Sequence, residues 1–123
     1  FVEVRVTGAQ SPADADLTAR SIAKSPLVKC AVHGGDPNWG RIMCAAGYSG
    51  ADVRPERAQL WINGVKLFRG GMPVSLPPHR LAACMKPKEI IIHLDLGLGK
   101  AEARVWTCDF SREYVTINAD YHT

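Results

Sequence analysis

The chain is 123 residues long, 46% hydrophobic and 22% charged, with a formal net charge of +3 and eleven glycines and eight prolines. This is the composition of one globular domain or of a piece of a larger one, and it excludes disordered, collagen-like and coiled-coil classes. The apolar runs, such as Ile90-Ile91-Ile92, fall far short of the roughly 20 residues a membrane-crossing helix needs, and fifteen Lys and Arg scattered against twelve Asp and Glu form no basic stripe for nucleic acid.

In chain order, Val2, Val4 and Val6 alternate with Glu3, Arg5 and Thr7, a period of two that predicts a half-buried strand ended by Gly8. Ser11-Pro12-Ala13-Asp14 predicts a helix start: a Ser cap, Pro in the first turn and acidic residues at the positive end of the dipole. Leu17, Ile22 and Ala23 supply its apolar stripe, and Ser25-Pro26 ends it. Leu27 to Val32 reads equally as strand or buried helix. His33-Gly34-Gly35 is a turn. Asp36-Pro37 then predicts a cap and a first helical residue, with Trp39, Ile42, Met43 and Ala46 on one helical face and Gly47 as the terminal cap.

Leu60-Trp61-Ile62 and Val65 to Phe68 flank Asn63-Gly64, the strongest short signal for a hairpin. Gly70 to Pro73 is expected to break the strand, and Pro77-Pro78 to precede a short helix reaching about Met85. Glu89 to Leu96 and Ala101 to Cys108 predict two more strands whose spacing suits an antiparallel pair. A last helical segment is expected from Asp109 or Ser111, carrying Tyr114, Val115 and Ile117. Hairpins mixed with helices predict an α+β class, with a mixed or antiparallel sheet packed against helices.

The chain opens at Phe1 with neither Met nor the basic start and apolar core of a signal peptide, so it is expected to begin within a longer product. Cys30, Cys44, Cys84 and Cys108 lack CxxC or CxxxxC spacing, which argues against structural zinc. Free, mostly buried thiols in a reducing compartment are expected.

Chemistry concentrates in His33-Gly34-Gly35-Asp36-Pro37-Asn38-Trp39-Gly40-Arg41. Glycines before a helix N-terminus expose N–H groups that can hold an anion, and Arg41 adds a charge. This is the alternative function: a standalone module for small molecules or anions, without catalysis. The plainer reading is a capped turn with a Trp filling the core. His33, Asp36, His93 and Asp95 lack a recognised ligand spacing, so no metal is expected, and His93 with Asp95 is read as a hydrogen-bonded pair at a sheet margin. Cys108 neighbours Asp109, which raises rather than lowers a thiol pKa, so it is read as structural. No GxSxG is present. Asn118 and the terminal hydroxyl of Thr123, anchored by Tyr114, Ile117 and Tyr121, offer neutral groups that orient a polar substrate.

Three stretches resemble the C-terminal part of the ornithine acetyltransferase family, the bifunctional glutamate N-acetyltransferases of arginine biosynthesis. They are Ser25-Pro26-Leu27-Val28-Lys29 leading into Gly35-Asp36-Pro37-Asn38-Trp39-Gly40-Arg41-Ile42; Leu94-Asp95-Leu96-Gly97-Leu98-Gly99 with Val105-Trp106-Thr107-Cys108-Asp109; and Tyr114-Val115-Thr116-Ile117-Asn118-Ala119-Asp120-Tyr121. The middle of the chain, about 51 to 88, matches only loosely.

The resemblance implies a two-lobed fold like that of self-processing aminopeptidases, of which residues 1–123 are one C-terminal segment. It implies a precursor that cuts itself before a threonine. That threonine, at the start of the second subunit, then takes acetyl from N-acetylornithine and passes it to glutamate. Some members also accept acetyl-CoA; no other cofactor is implied. The nucleophile, the oxyanion pair and a substrate-contacting lysine belong to segments not in this chain, and a substrate-contacting glutamate lies upstream of Phe1. Residue by residue, only Asn118 and Thr123 carry over as substrate-binding; residues 36–41 are architecture near the cleft, and no catalytic residue is expected here. A sibling acting on a different acylated amine is a further reading. The implied partners are the upstream segments, in a heterotetramer, and the implied location is cytoplasmic, or an organelle in a eukaryote.

Overall fold

The computed structural model describes residues 1–108. Strand β1 (Val2–Ala9) is followed by helices α1 (Pro12–Lys24), α2 (Pro26–His33) and α3 (Trp39–Gly47). A 3₁₀ turn at Pro55–Arg57 leads into β2 (Gln59–Ile62), β3 (Val65–Arg69) and the two-residue β4 (Met72–Pro73). A short α4 (Pro78–Ala83) precedes β5 (Ile90–Asp95) and β6 (Ala101–Thr107). The class is α+β, a mixed sheet with helices, as the order of elements predicts.

The six strands run in the order β4-β3-β2-β5-β1-β6. β5 and β6 do not pair with each other, contrary to the expectation from their spacing: β1 lies between them, parallel to β5 and antiparallel to β6. The short connection therefore steps over one strand. Gly8 and Gly97 make that step possible. Both have positive φ, and a Cβ on Gly8 would meet the Asp95 carboxylate, one on Gly97 the Arg57 carbonyl. Gly8 does not end the first strand; it sits where the β1–β6 register shifts, and the strand continues to Ala9.

Ser11 caps α1 by accepting from the Asp14 N–H at 3.1 Å, and Ser25 ends α1 while its hydroxyl caps α2 at Val28. Leu27 to Val32 is thus helical. The buried face of α1 is built from Ala15, Ala19, Ile22 and Ala23, whereas Leu17 is exposed. These small residues bring α1 close to β1 and β6. Ser21 Oγ donates to the Ala45 carbonyl at 2.6 Å, tying α1 to α3, and the Trp39 ring stacks on Phe68 with centroids 5.3 Å apart. The core lies between these helices and the inner face formed by Val4, Val6, Leu60, Ile62, Ile92 and Leu94.

Asn63 (φ 47) and Gly64 (φ 80) close the β2–β3 hairpin with both central residues left-handed. Gly70-Gly71 is a second tight turn rather than a simple break, because Met72 and Pro73 pair back onto β3. The thiols are free, but the expectation that most are buried fails: Cys30, Cys44 and Cys108 are exposed and only Cys84 is buried.

Candidate functional site

Asn118, Thr123 and the expected last helix lie outside the described residues. The other singled-out segment, residues 33–41, is well defined. Asn38, not Asp36, caps α3: its Oδ1 accepts from the Arg41 N–H at 3.0 Å, and its Nδ2 donates to Asp36 Oδ2 at 3.1 Å. Pro37 stands before the cap and not in the first turn. Gly47 is the last helical residue, with Tyr48 as the cap. Arg41 Nη1 donates to the Leu27 carbonyl at 3.1 Å, which bolts α3 to the start of α2. Arg41 thus joins two helices.

His93 and Asp95 share a face of β5 but are not partners. His93 Nε2 is hydrogen-bonded to Thr7 Oγ1 at 2.9 Å, while Asp95 Oδ1 accepts from the Gly97 N–H at 3.0 Å. Among the described residues no three His, Cys, Asp or Glu side chains gather as a metal would require.

The chemistry the sequence reading missed lies on the sheet face away from the helices. Alternation puts Glu3, Arg5 and Thr7 there from β1, Ile91, His93 and Asp95 from β5, and Glu102, Arg104 and Trp106 from β6. The strand register aligns five residues in one row across it. Lys66 is opposite Trp61, Trp61 opposite His93, His93 opposite Arg5, and Arg5 opposite Arg104. Trp61 stacks on His93 (centroids 4.8 Å apart), and Lys66 Nζ lies 5.3 Å from the Trp61 ring.

Among the described residues, Glu3 is the carboxylate that pairs with the two arginines of this row. Its Oε2 accepts from Arg5 Nη2 at 2.7 Å and stands 4.0 Å from Arg104 Nε, while its Oε1 accepts from Trp106 Nε1 at 3.2 Å. Arg5 Nε is buried without an acceptor. Burial pushes the His93 pKa below its ordinary value, the Arg5 charge adds to that, and Asp95 opposes it. Two open cavities meet at Arg5. One, of about 380 Å³, is bounded by Trp61, Asn63, Ile91 and His93; the other, of about 250 Å³, by Glu102, Ala103 and Arg104. The signal was present in the alternation of residues 1–7. What the sequence lacked was the register that sets Arg5 beside Arg104 and His93.

A family model described as the ArgJ family matches residues 1–123. The arginine biosynthesis bifunctional protein ArgJ of Deinococcus radiodurans is 50% identical over 123 residues, covering all of this chain and 31% of that protein. The glutamate N-acetyltransferase of Methanosarcina mazei is 46% identical over 128 residues, again covering all of this chain and 32% of that protein. The crystal structure of the arginine biosynthesis bifunctional protein ArgJ from Bacillus halodurans superposes with a TM-score of 0.88 at 36% identity, over 98% of this chain and 57% of that one. The chain spans about a third of the length of the curated relatives it matches.

Proposed function

The chain belongs to the ArgJ family, and on that premise we propose that it is the C-terminal segment of a two-lobed glutamate N-acetyltransferase of arginine biosynthesis. The complete enzyme moves an acetyl group from N-acetylornithine to glutamate through an acyl-threonine intermediate. The observation that carries this reading is the family match over all 123 residues, joined to 50% identity with a bifunctional ArgJ protein along the whole chain.

The division of labour follows from chemistry. A threonine hydroxyl is a poor nucleophile until a base, such as its own freed amine, takes the proton. The tetrahedral intermediate needs donors aimed at its oxyanion. Thr7 Oγ1 is hydrogen-bonded to His93 Nε2 at 2.9 Å on the open sheet face, but the family resemblance assigns the nucleophile and the oxyanion donors to polypeptide outside this span. Asn118 and Thr123 are assigned to substrate contact, where an amide and a hydroxyl can hold polar groups without proton transfer. Residues 36–41 hold α2 against α3 and so shape the ground on which the site stands.

The test is an acetyl-transfer assay with N-acetylornithine and glutamate. The chain alone is expected to give no turnover, and the chain with the upstream segments to give ping-pong kinetics. In the complete enzyme, Asn118→Ala and removal of Thr123 are expected to change KM or substrate choice while leaving folding intact. Turnover by the chain alone, or kinetics indifferent to both changes, overturns the assignment.

A further inference from the structure

We propose that the open face of the sheet is the surface on which the rest of the ArgJ polypeptide docks, through a carboxylate-bearing segment laid along the Lys66–Trp61–His93–Arg5–Arg104 row. This inference rests on the functional reading above and gives it a location.

Three observations converge. The first is electrostatic. Cross-strand neighbours of like charge are destabilising, yet Arg5 and Arg104 stand directly opposite one another. Glu3 supplies one carboxylate to both, and Arg5 Nε still has no acceptor. A guanidinium presents five donors in a fixed fork that suits a carboxylate, so a second carboxylate arriving from outside completes what Glu3 begins. The second is composition. Trp and Arg are enriched at interfaces and at their energetic centres, and this face carries Trp61, Trp106 (54% exposed) and the arginine pair. The third is supply. The relatives are about three times the length of this chain, so the family carries a large amount of polypeptide beyond this span. The helices already cover the inner face and leave the row, roughly 19 Å long at the usual strand spacing, uncovered by any described residue.

The chemistry also selects the occupant's form. The two cavities meeting at Arg5 are open to solvent, which suits a chain segment lying across strands. Trp61, half-buried within the row, gives that segment an apolar contact between the charged residues.

The experiment expresses this chain in one cell with the remaining two-thirds of the Deinococcus radiodurans ArgJ protein, tagged, and measures co-purification and the affinity of the purified pair. Arg104→Glu, and separately Trp106→Ala, are expected to weaken the complex about tenfold or more, with unchanged circular dichroism. Lys24→Glu, on the helix side, is expected to leave it unchanged. A complex equally tight in all variants overturns the docking face while leaving the functional reading in place. Self-association of the chain that is lost on Arg104→Glu overturns it in favour of a second copy as occupant. Failure of the unsubstituted chain to form any complex overturns the functional reading, and the inference falls with it.

Discussion

One sheet carries two faces that do different work. Toward the helices, β1 and β5 present Val4, Val6, Ile92 and Leu94, all fully buried. One residue along in each strand, the same backbone presents Arg5, Thr7, Ile91 and His93 to the open side. Because side chains alternate with a period of two, a strand can assign stability to one residue set and recognition to the other without compromise. The inner set answers to packing, where shape and volume matter. The outer set answers to charge and hydrogen bonding, where the partner matters.

The largest expected break in that contrast is on the inner face. Leu94→Ala removes a fully buried side chain from the centre of the sheet and leaves a cavity between β5 and the helices. A loss of about 2–5 kcal/mol is expected, read from urea unfolding at neutral pH. A loss under about 1 kcal/mol would mean that the core is loosely packed and that the two faces are not energetically distinct.

Next comes the hairpin that sets the register. Asn63 has φ 47, its Nδ2 donates to the carbonyls of Cys84 and Glu89 at 2.8 and 3.3 Å, and its Oδ1 accepts from the Ile91 N–H at 2.9 Å. Asn63→Ala loses these bonds and places a Cβ residue without a local hydrogen bond in the left-handed region. About 1–3 kcal/mol is expected. Asn63→Gly, which keeps the backbone freedom and drops the side chain, separates the two contributions. If both variants match the unsubstituted chain, the Asn side chain has no part in holding β2 against β5.

Much of this was legible from local chemistry. The cap at Ser11, the helix end at Ser25-Pro26, the Asn63-Gly64 turn and the alternation in β1 are signals carried by a few adjacent residues, and each sits where the sequence predicts. One error was local, and the misread pairings turn on partners distant in sequence. Asp36 looked like the cap of α3 because Pro37 follows it, but Asn38 is placed one turn-residue from the helix and takes the Arg41 N–H instead. Glu89–Leu96 and Ala101–Cys108 looked like a hairpin because a short loop joins them, but β1 intervenes, which only the whole sheet decides. His93 and Asp95 looked like a pair because they share a strand face, yet each found a closer partner. The docking row was invisible for the same reason, since its five members come from five strands. Asn118 and Thr123 lie outside the described residues.

A smaller effect tests the outer face by pH. The folded-state pKa of His93 is lowered, so the unfolded chain binds more protons at this site. His93 therefore contributes stability that is present above its ordinary value of 6.5 and is lost as pH falls through the folded value. Urea midpoints taken between pH 7.5 and pH 5 are expected to drop, and His93→Gln, which keeps a polar group near Thr7 and Trp61, is expected to flatten part of that slope. An identical slope in the variant would show that burial beside Arg5 does not restrain the ring.

The smallest expected effect is the sharpest statement of the contrast. Arg104 is largely exposed, its nearest carboxylate is Glu3 at 4.0 Å, and its neighbour across the sheet is another arginine. An exposed pair at that separation contributes little, and the like charge opposite offsets it. Arg104→Ala in the chain alone is thus expected to change stability by no more than about 0.5 kcal/mol in either direction. Such a null result on folding is what gives the binding experiment its meaning: a residue that costs nothing to remove from the isolated chain, yet weakens its association with the upstream polypeptide, acts at an interface. A loss above about 1.5 kcal/mol would instead make Arg104 part of the fold and erase the distinction between the faces at this position.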